Sequence, residues 1–157
     1  MFKNILLPTD GSKISQEAIK EGIKLAKSLG SKVTGVYVSP KFSFFDLLEL
    51  SQEEKWGQHE IEKAKQSITH YENLHKSFAE KHLTFIKDEA KKESVECETV
   101  FVPNESAAEG ILKVAKDKKC DLIFIASHGL GVTAALLGSV TLKVLSHSHI
   151  PVLVYRK

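Results

Sequence analysis

The sequence is poor in the residues that staple a small protein or load it with metal. Its 157 residues hold only two cysteines, Cys97 and Cys120, in no metal-ligand spacing, which excludes a disulfide framework and a cysteine-based metal cluster. Both read as small buried apolar residues. Lys118 and Lys119 precede Cys120 without demanding a thiolate. No apolar run reaches the ~18 residues that cross a bilayer. The opening Met1-Phe2-Lys3-Asn4-Ile5 lacks the basic start, apolar stretch and small-residue site of a secretion signal. A surplus of one charge is lacking too. The 22 Lys and Arg face 20 Asp and Glu, for a net +2, which argues against a dedicated nucleic-acid or anionic-membrane binder. There is no linker, low-complexity tract or internal repeat. These absences imply a single cytoplasmic domain over 1–157, large enough to bury a core without staples. With 42% hydrophobic and 27% charged residues, the composition is ordinary for a globular chain.

What is present alternates between two periods. Asn4–Pro8, Val33–Val38, Asp121–Ala126 and Ile150–Tyr155 are short apolar runs of the kind found in strands buried on both faces. Val95–Val102 alternates at first and reads as an edge strand with one wet face. Between the runs lie amphipathic helical patterns. Ile19, Gly22, Ile23, Ala26 and Leu29 follow Thr9-Asp10-Gly11-Ser12, where Ser12 or Ser15 supplies a cap, and Gly30 closes that helix. Ser106 and Glu109 form a capping-box pattern ahead of Ile111, Leu112 and Ala115. Val140, Val144 and Leu145 mark a last helix. No Gly or Pro interrupts 59–93, where Ile61, Ala64, Ile68, Tyr71, Phe78, Phe85 and Ile86 fall near one face. We read one long helix or two with a bend, its balanced charges being a solvated surface. The apolar stretch Phe42–Leu50 is irregular. It reads as a lid or packing segment with a short helix at about 45–51, or as a contact surface, in an extended helical segment over about 42–93. Buried strands alternating with helices predict a parallel sheet covered on both faces. In such sheets ligands bind beyond the carboxyl ends of strands, where strand order reverses.

Two loops after strands therefore hold the candidate chemistry. One is Pro8-Thr9-Asp10-Gly11-Ser12. The other runs from Ser127 to Ser139 with Gly129, Gly131 and Gly138, and ends at a helix start. Glycines let backbone amides approach an anion, and a helix N-terminus adds free donors and a favourable dipole. A bland glycine-rich turn fits the same pattern. Asp10 reads as a ligand contact or as a cap of its own turn. His128 reads as a phosphate neighbour or a packing side chain. His147 and His149 read as a metal pair or as cations beside a helix C-terminus. Ser12 and Ser15 show no partner pattern for nucleophilic catalysis.

Asn4–Ser12, Ala126–Ser139 and the ending Ile150–Arg156 together resemble the universal stress protein family, over essentially the whole chain. Nucleotide-binding members carry Gly, two residues, Gly, nine residues, then Gly-Ser or Gly-Thr. Here Ala126 stands at the first glycine, and eight residues separate Gly129 from Gly138. The resemblance implies a doubly wound α/β fold of the adenine-nucleotide α-hydrolase type, with five parallel strands in the order 3-2-1-4-5. It implies binding of ATP, with Mg²⁺ as a companion ion, between the loops after strands one and four. Carried over by position, Asp10 approaches the ribose or adenine and Val38 flanks the base. Gly129, Gly138, Ser139 and Val140 hold the phosphates. The full implied set adds Pro8, Thr9, Ala126, Ser127, His128, Gly131 and Thr141. No catalytic or metal-binding constellation is evident, so a regulator is expected rather than an efficient enzyme, with slow ATP hydrolysis left open.

The last strand adds a physical expectation. Val152, Leu153, Val154 and Tyr155 are apolar on both faces, and an end strand lies at a sheet edge. An unprotected edge invites pairing with a second copy across a two-fold axis, and the resemblance implies the same homodimer. Two rivals stay open: a nucleotide-free interaction protein of the same fold, and an enzyme of the wider adenine-nucleotide superfamily.

Overall fold

In the computed structural model, residues 1–40, 57–103, 105–130 and 136–157 are described. Five strands, β1 (Asn4–Pro8), β2 (Lys32–Val38), β3 (Cys97–Val102), β4 (Leu122–Ala126) and β5 (Val152–Tyr155), alternate with α1 (Lys13–Leu29), α2 (Gln58–Lys92), α3 (Ala107–Asp117) and α4 (Ser139–His147). The strands form one sheet in the order β3-β2-β1-β4-β5, and every pairing is parallel. The expected architecture and order are what is observed.

Period-two alternation divides the core between the two faces of the sheet. Ile5 and Leu7 of β1, Val33 and Tyr37 of β2, and Leu122, Phe124 and Ala126 of β4 pack with Ile19 and Ile23 of α1 and with Leu83 and Ile86 of α2. The intervening residues Leu6, Val36, Ile123 and Ile125 pack on the other face with Ile111 and Val114 of α3 and Val144 of α4. A sheet sandwiched in this way has no wet central strand, so β1 and β4 are buried along their whole length. The outer β3 lies at the sheet edge as expected, and it is half-buried at every position rather than alternating between buried and exposed.

Two helix ends differ in how they are capped. Ser12 caps α1, its hydroxyl accepting from the Ser15 amide at 3.3 Å. Ser106 stands at the cap of α3 but makes no side-chain cap bond, so the expected capping box is not formed. The Glu105 carboxylate accepts from the Ser106 amide at 2.9 Å instead, the same donor that Glu109 would satisfy in the box.

The segment 58–92 is one helix of 35 residues, which makes it about 52 Å long. The seven residues of β2 span only about 23 Å. The C-terminal half of α2 lies on the sheet through Ala79, Leu83, Ile86 and Ala90, so its N-terminal half runs on past the carboxyl edge. The expectation of a short helix and lid at Phe42–Leu50 lies outside the described residues, as does Gly131. No described helix is long and apolar enough to cross a membrane.

Candidate functional site

Strand order turns back between β1 and β4, because the chain leaves β1 toward β2 on one side and later returns to β4 on the other. The loops after these two strands diverge to opposite faces and leave a crevice. A cleft of about 240 Å³ lies there, lined by Pro8, Thr9, Asp10, Val38, Ala126, His128, Gly129, Gly138, Ser139, Val140 and Thr141 of the sequence-derived set. That volume sits just under the ~300 Å³ at which small-molecule sites begin. Exposed Leu130 and Ser139 flank the mouth, so an occupant would extend beyond the cleft.

The β1–α1 loop is held by its own polar groups. The Thr9 amide donates to the Val36 carbonyl at 2.9 Å. The Thr9 hydroxyl accepts from the Gly11 amide at 3.1 Å and lies 3.2 Å from the Ser15 hydroxyl. Gly11 takes φ +81°, a conformation that glycine adopts without the usual steric cost. This bend turns the Asp10 carboxylate in two directions. One oxygen accepts from the Ser12 amide at 2.9 Å and the other from the Leu130 amide at 3.1 Å. Asp10 therefore caps its own turn and also clasps the loop after β4. Of the two sequence readings, the turn cap is observed, and the clasp on Leu130 is a role that neither reading named.

That clasp explains Gly129. A methyl built on its α-carbon would overlap the Asp10 carboxylate oxygen, so the close approach of the two loops requires a residue without Cβ.

Across the cleft, α4 begins at Gly138 with extended φ −66° and ψ 152° and no side-chain cap. The Leu142 amide is the first to donate back along the helix, to the Gly138 carbonyl at 3.0 Å. By helix geometry the amides of Ser139, Val140 and Thr141 have no acceptor in the helix, and they carry the positive end of its dipole. Thr141 is buried and its hydroxyl donates to the Ala126 carbonyl at 2.9 Å, which fixes α4 to the end of β4. Of this residue only the backbone is offered to a ligand. The Gly138 amide is spent on the Ser127 carbonyl at 2.8 Å.

Ser127 is brought next to the cleft but not into its lining. It is 1% exposed, and its hydroxyl lies 2.9 Å from His128 Nδ1, which orients the His128 ring at the wall. Ala126 lines the cleft while its side chain packs with the core on the α1 and α2 face. The other walls, Val36, Ile125 and Leu130 with Ala107 and Ile111 of α3, escaped the sequence reading. Their signal was topological: they lie at the carboxyl ends of β2 and β4 and in the first turns of the helix after β3.

The cleft is thus an apolar chamber with one carboxylate, one imidazole and, at its α4 end, three amides that have no acceptor within the helix. Among the described residues no Lys or Arg lines it, and no group of three or more His, Cys, Asp or Glu could hold a metal ion. His147 Nδ1 donates to the Lys143 carbonyl at 2.9 Å in the last turn of α4, the helix-end arrangement rather than a ligand pose. The Cys97 and Cys120 thiols are pushed up to about 11, chiefly by burial, which matches structural cysteines.

A family model described as the universal stress protein family matches residues 1–156. The universal stress protein MJ0531 of Methanocaldococcus jannaschii is 33% identical over 158 aligned residues, covering 100% of this chain and 84% of that protein. The solved structure of MJ0577, a universal stress protein of the same organism, has a TM-score of 0.78 at 26% identity and covers 100% of this chain and 97% of its own. Three more distant structures share the fold. One universal stress protein is in complex with cAMP (20% identity, TM-score 0.62, 99% and 97% covered). Another, from Archaeoglobus fulgidus, is in complex with dAMP (15%, 0.58, 98% and 97%). A third, from Arabidopsis thaliana, has AMP bound (14%, 0.65, 99% and 92%). From its first strand to its last, with its cleft at the turning point of the sheet, this chain belongs to the universal stress protein family.

Proposed function

We propose that this chain is a stress-response regulator that binds ATP or a related adenine nucleotide in the cleft between the β1 and β4 loops. The observation that carries the reading is the joining of an apolar chamber to the uncapped N-terminus of α4. An adenine ring suits walls made of Val36, Val38, Ile111 and Ile125, and Asp10 stands where a ribose hydroxyl would donate to it. The phosphates would meet the amides of Ser139, Val140 and Thr141, the Ser139 hydroxyl and the backbone at Gly129. With no Lys or Arg in the lining among the described residues, the triphosphate charge would be balanced by the helix end and by a solvated Mg²⁺. Relatives of this fold that hold cAMP, dAMP and AMP support an adenine nucleotide without choosing among them. The output is regulatory: occupancy biases the loops and α2, and through them partner contacts. Among the described residues the edge strand β5 pairs only with β4, and Leu153 is 39% exposed, which supports a homodimer built on Val152–Tyr155.

Isothermal titration with ATP, AMP and cAMP, with mass spectrometry of nucleotide retained through purification, tests this. Saturable binding that Gly138→Asp abolishes is the expected result, because a side chain there presses on the backbone of His128 and Gly129 and adds a negative charge at the phosphate end of the cleft. No heat with any of the three and no retained nucleotide would overturn the reading and leave the nucleotide-free interaction protein.

A further inference from the structure

Among the described residues, His82 Nε2 is the buried side-chain nitrogen that has no hydrogen-bond partner. His82 is 6% exposed and projects from α2 onto the β1–α1 loop. A methyl built on Gly11 would meet the imidazole at Nε2 before any other atom, then at Cε1 (2.7 Å) and Cδ2 (2.9 Å). The Nε2 edge of the ring therefore abuts the Gly11 α-carbon. Tyr37 stacks on the ring at 6.4 Å and 15°, and Phe78 meets it edge-on at 4.3 Å and 63°, so the imidazole cannot swing away from that contact. An N–H at Nε2 would point at a carbon with neither room nor an acceptor. From this packing we assign the neutral ring's proton to Nδ1.

Gly11 is the residue whose left-handed turn aims Asp10. The chain of contact runs from α2, through the imidazole and Gly11, to the carboxylate that clasps Leu130 across the cleft mouth. We infer that His82 is a positioning residue for the cleft: neutral, it props Gly11 so that Asp10 clasps the β4–α4 loop, and protonated, it draws the Asp10 carboxylate to itself and releases that loop. A buried cation must find a partner. Among the described residues, the groups that face His82 are Asp10 from the loop, Tyr37 from β2 and Lys81 from its own helix, with His75 one contact further on, 3.3 Å from the Tyr37 hydroxyl. Of these, Asp10 is the one anion at neutral pH. Burial pushes His82 below its ordinary 6.5, Lys81 adds to that, and Asp10 opposes it. The neutral, clasped form is therefore complete above 6.5 and is lost as pH falls through the lower value of the folded protein. The inference rests on the nucleotide reading only for its consequence that acid weakens binding.

The test begins with the nucleotide-free protein and needs no variant. Imidazole and amide resonances are followed by NMR from pH 8 to 5. The Gly11 and Leu130 amides are expected to shift with the same midpoint as the His82 ring. In His82→Phe and His82→Gln that step is expected to vanish, and in Asp10→Asn the His82 midpoint is expected to fall. Binding is then measured with adenosine, which carries no phosphate to titrate. The wild type is expected to bind it several-fold more weakly at pH 5 than at pH 7.5, and His82→Phe to show less than a twofold change, the scale set by a fractional pKa shift. A Leu130 amide indifferent to His82, or equal pH profiles for wild type and His82→Phe, would overturn the inference. Absent adenosine binding with the NMR coupling intact would instead sink the nucleotide reading and leave the coupling standing.

Discussion

Gly129→Ala isolates the contact that brings the two site loops together. No left-handed φ is required at Gly129, and among the described residues the only atoms within reach of a built methyl are those of the Asp10 carboxylate. Alanine would therefore carry no backbone strain, and its whole cost comes from expelling that carboxylate. Expulsion breaks the bond to the Leu130 amide and disturbs the one to Ser12. Hydrogen bonds to charged groups are worth ~1.5–3 kcal/mol each, but water re-solvates an oxygen at an exposed mouth, so the expected loss is about 2 kcal/mol. For a chain of this size that is about 4–8 °C in Tm. The control is the same change in an Asp10→Ala background, where the methyl meets empty space. There Gly129→Ala is expected to be within ~0.5 kcal/mol of neutral, since removing glycine's unfolded-state freedom gives back a few tenths. Urea denaturation of the four proteins closes the cycle, with a coupling of about 1.5–2 kcal/mol at unchanged m-value. An equal cost of Gly129→Ala in both backgrounds would show that this glycine answers to something other than Asp10.

Three further outcomes follow from the packing. Thr141→Val removes the buried hydroxyl that ties α4 to the Ala126 carbonyl; a loss of about 1–3 kcal/mol in urea denaturation and weaker ATP binding in titration are expected, and unchanged stability would mean that α4 is held by its apolar contacts alone. Leu153→Lys places a charge on the exposed side of the edge strand; in sedimentation the parent is expected to run as the proposed dimer and the variant as a monomer, and a monomeric parent or a dimeric variant would refute an interface on this strand. Cys120, buried, and Cys97, half-buried, with thiols raised to about 11 chiefly by desolvation, are expected to react with a thiol reagent at pH 8 far more slowly in the native protein than in 6 M urea, and equally fast reaction of Cys120 would contradict its burial.

The sheet was legible because its signal is local and redundant. Asn4–Pro8 and Leu122–Ala126 are apolar at every position, and only a strand covered on both faces tolerates that. The edge character of β3 was legible in Val95–Val102 for the converse reason, since polar residues at alternate positions mark a wet face. The capping box at Ser106 was not borne out because its signal is a four-residue pattern, and Glu105, outside the pattern, competes for the same amide. The unity of α2 was undecidable from a face of apolar residues that a bend would also preserve. Ile111 was read on the apolar face of its helix, where it is core, and Ala107 only as part of the cap pattern. Their second role depends on α3 and β2 meeting at the cleft wall, a long-range fact that no window of sequence contains.

The departure from the glycine pattern at position 126 shows how strand periodicity decides what a substitution means. Position 126 falls in step with Leu122 and Phe124, whose side chains lie on the α1 and α2 face of the sheet. Ile123 and Ile125 point the other way, with Val36 and Ile111, into the face that holds the cleft. The methyl gained by having alanine at 126 therefore fills core on the far side of the sheet, while the cleft meets the backbone of that residue. The carbonyl of Ala126, which a side-chain change leaves in place, is what Thr141 uses to anchor α4. Restoring glycine would remove buried apolar surface and widen nothing. Ala126→Gly is expected to destabilise the protein by about 1 kcal/mol in urea denaturation and to leave ATP affinity within twofold. An affinity gain of tenfold or more would place the methyl in the cleft and refute the alternation.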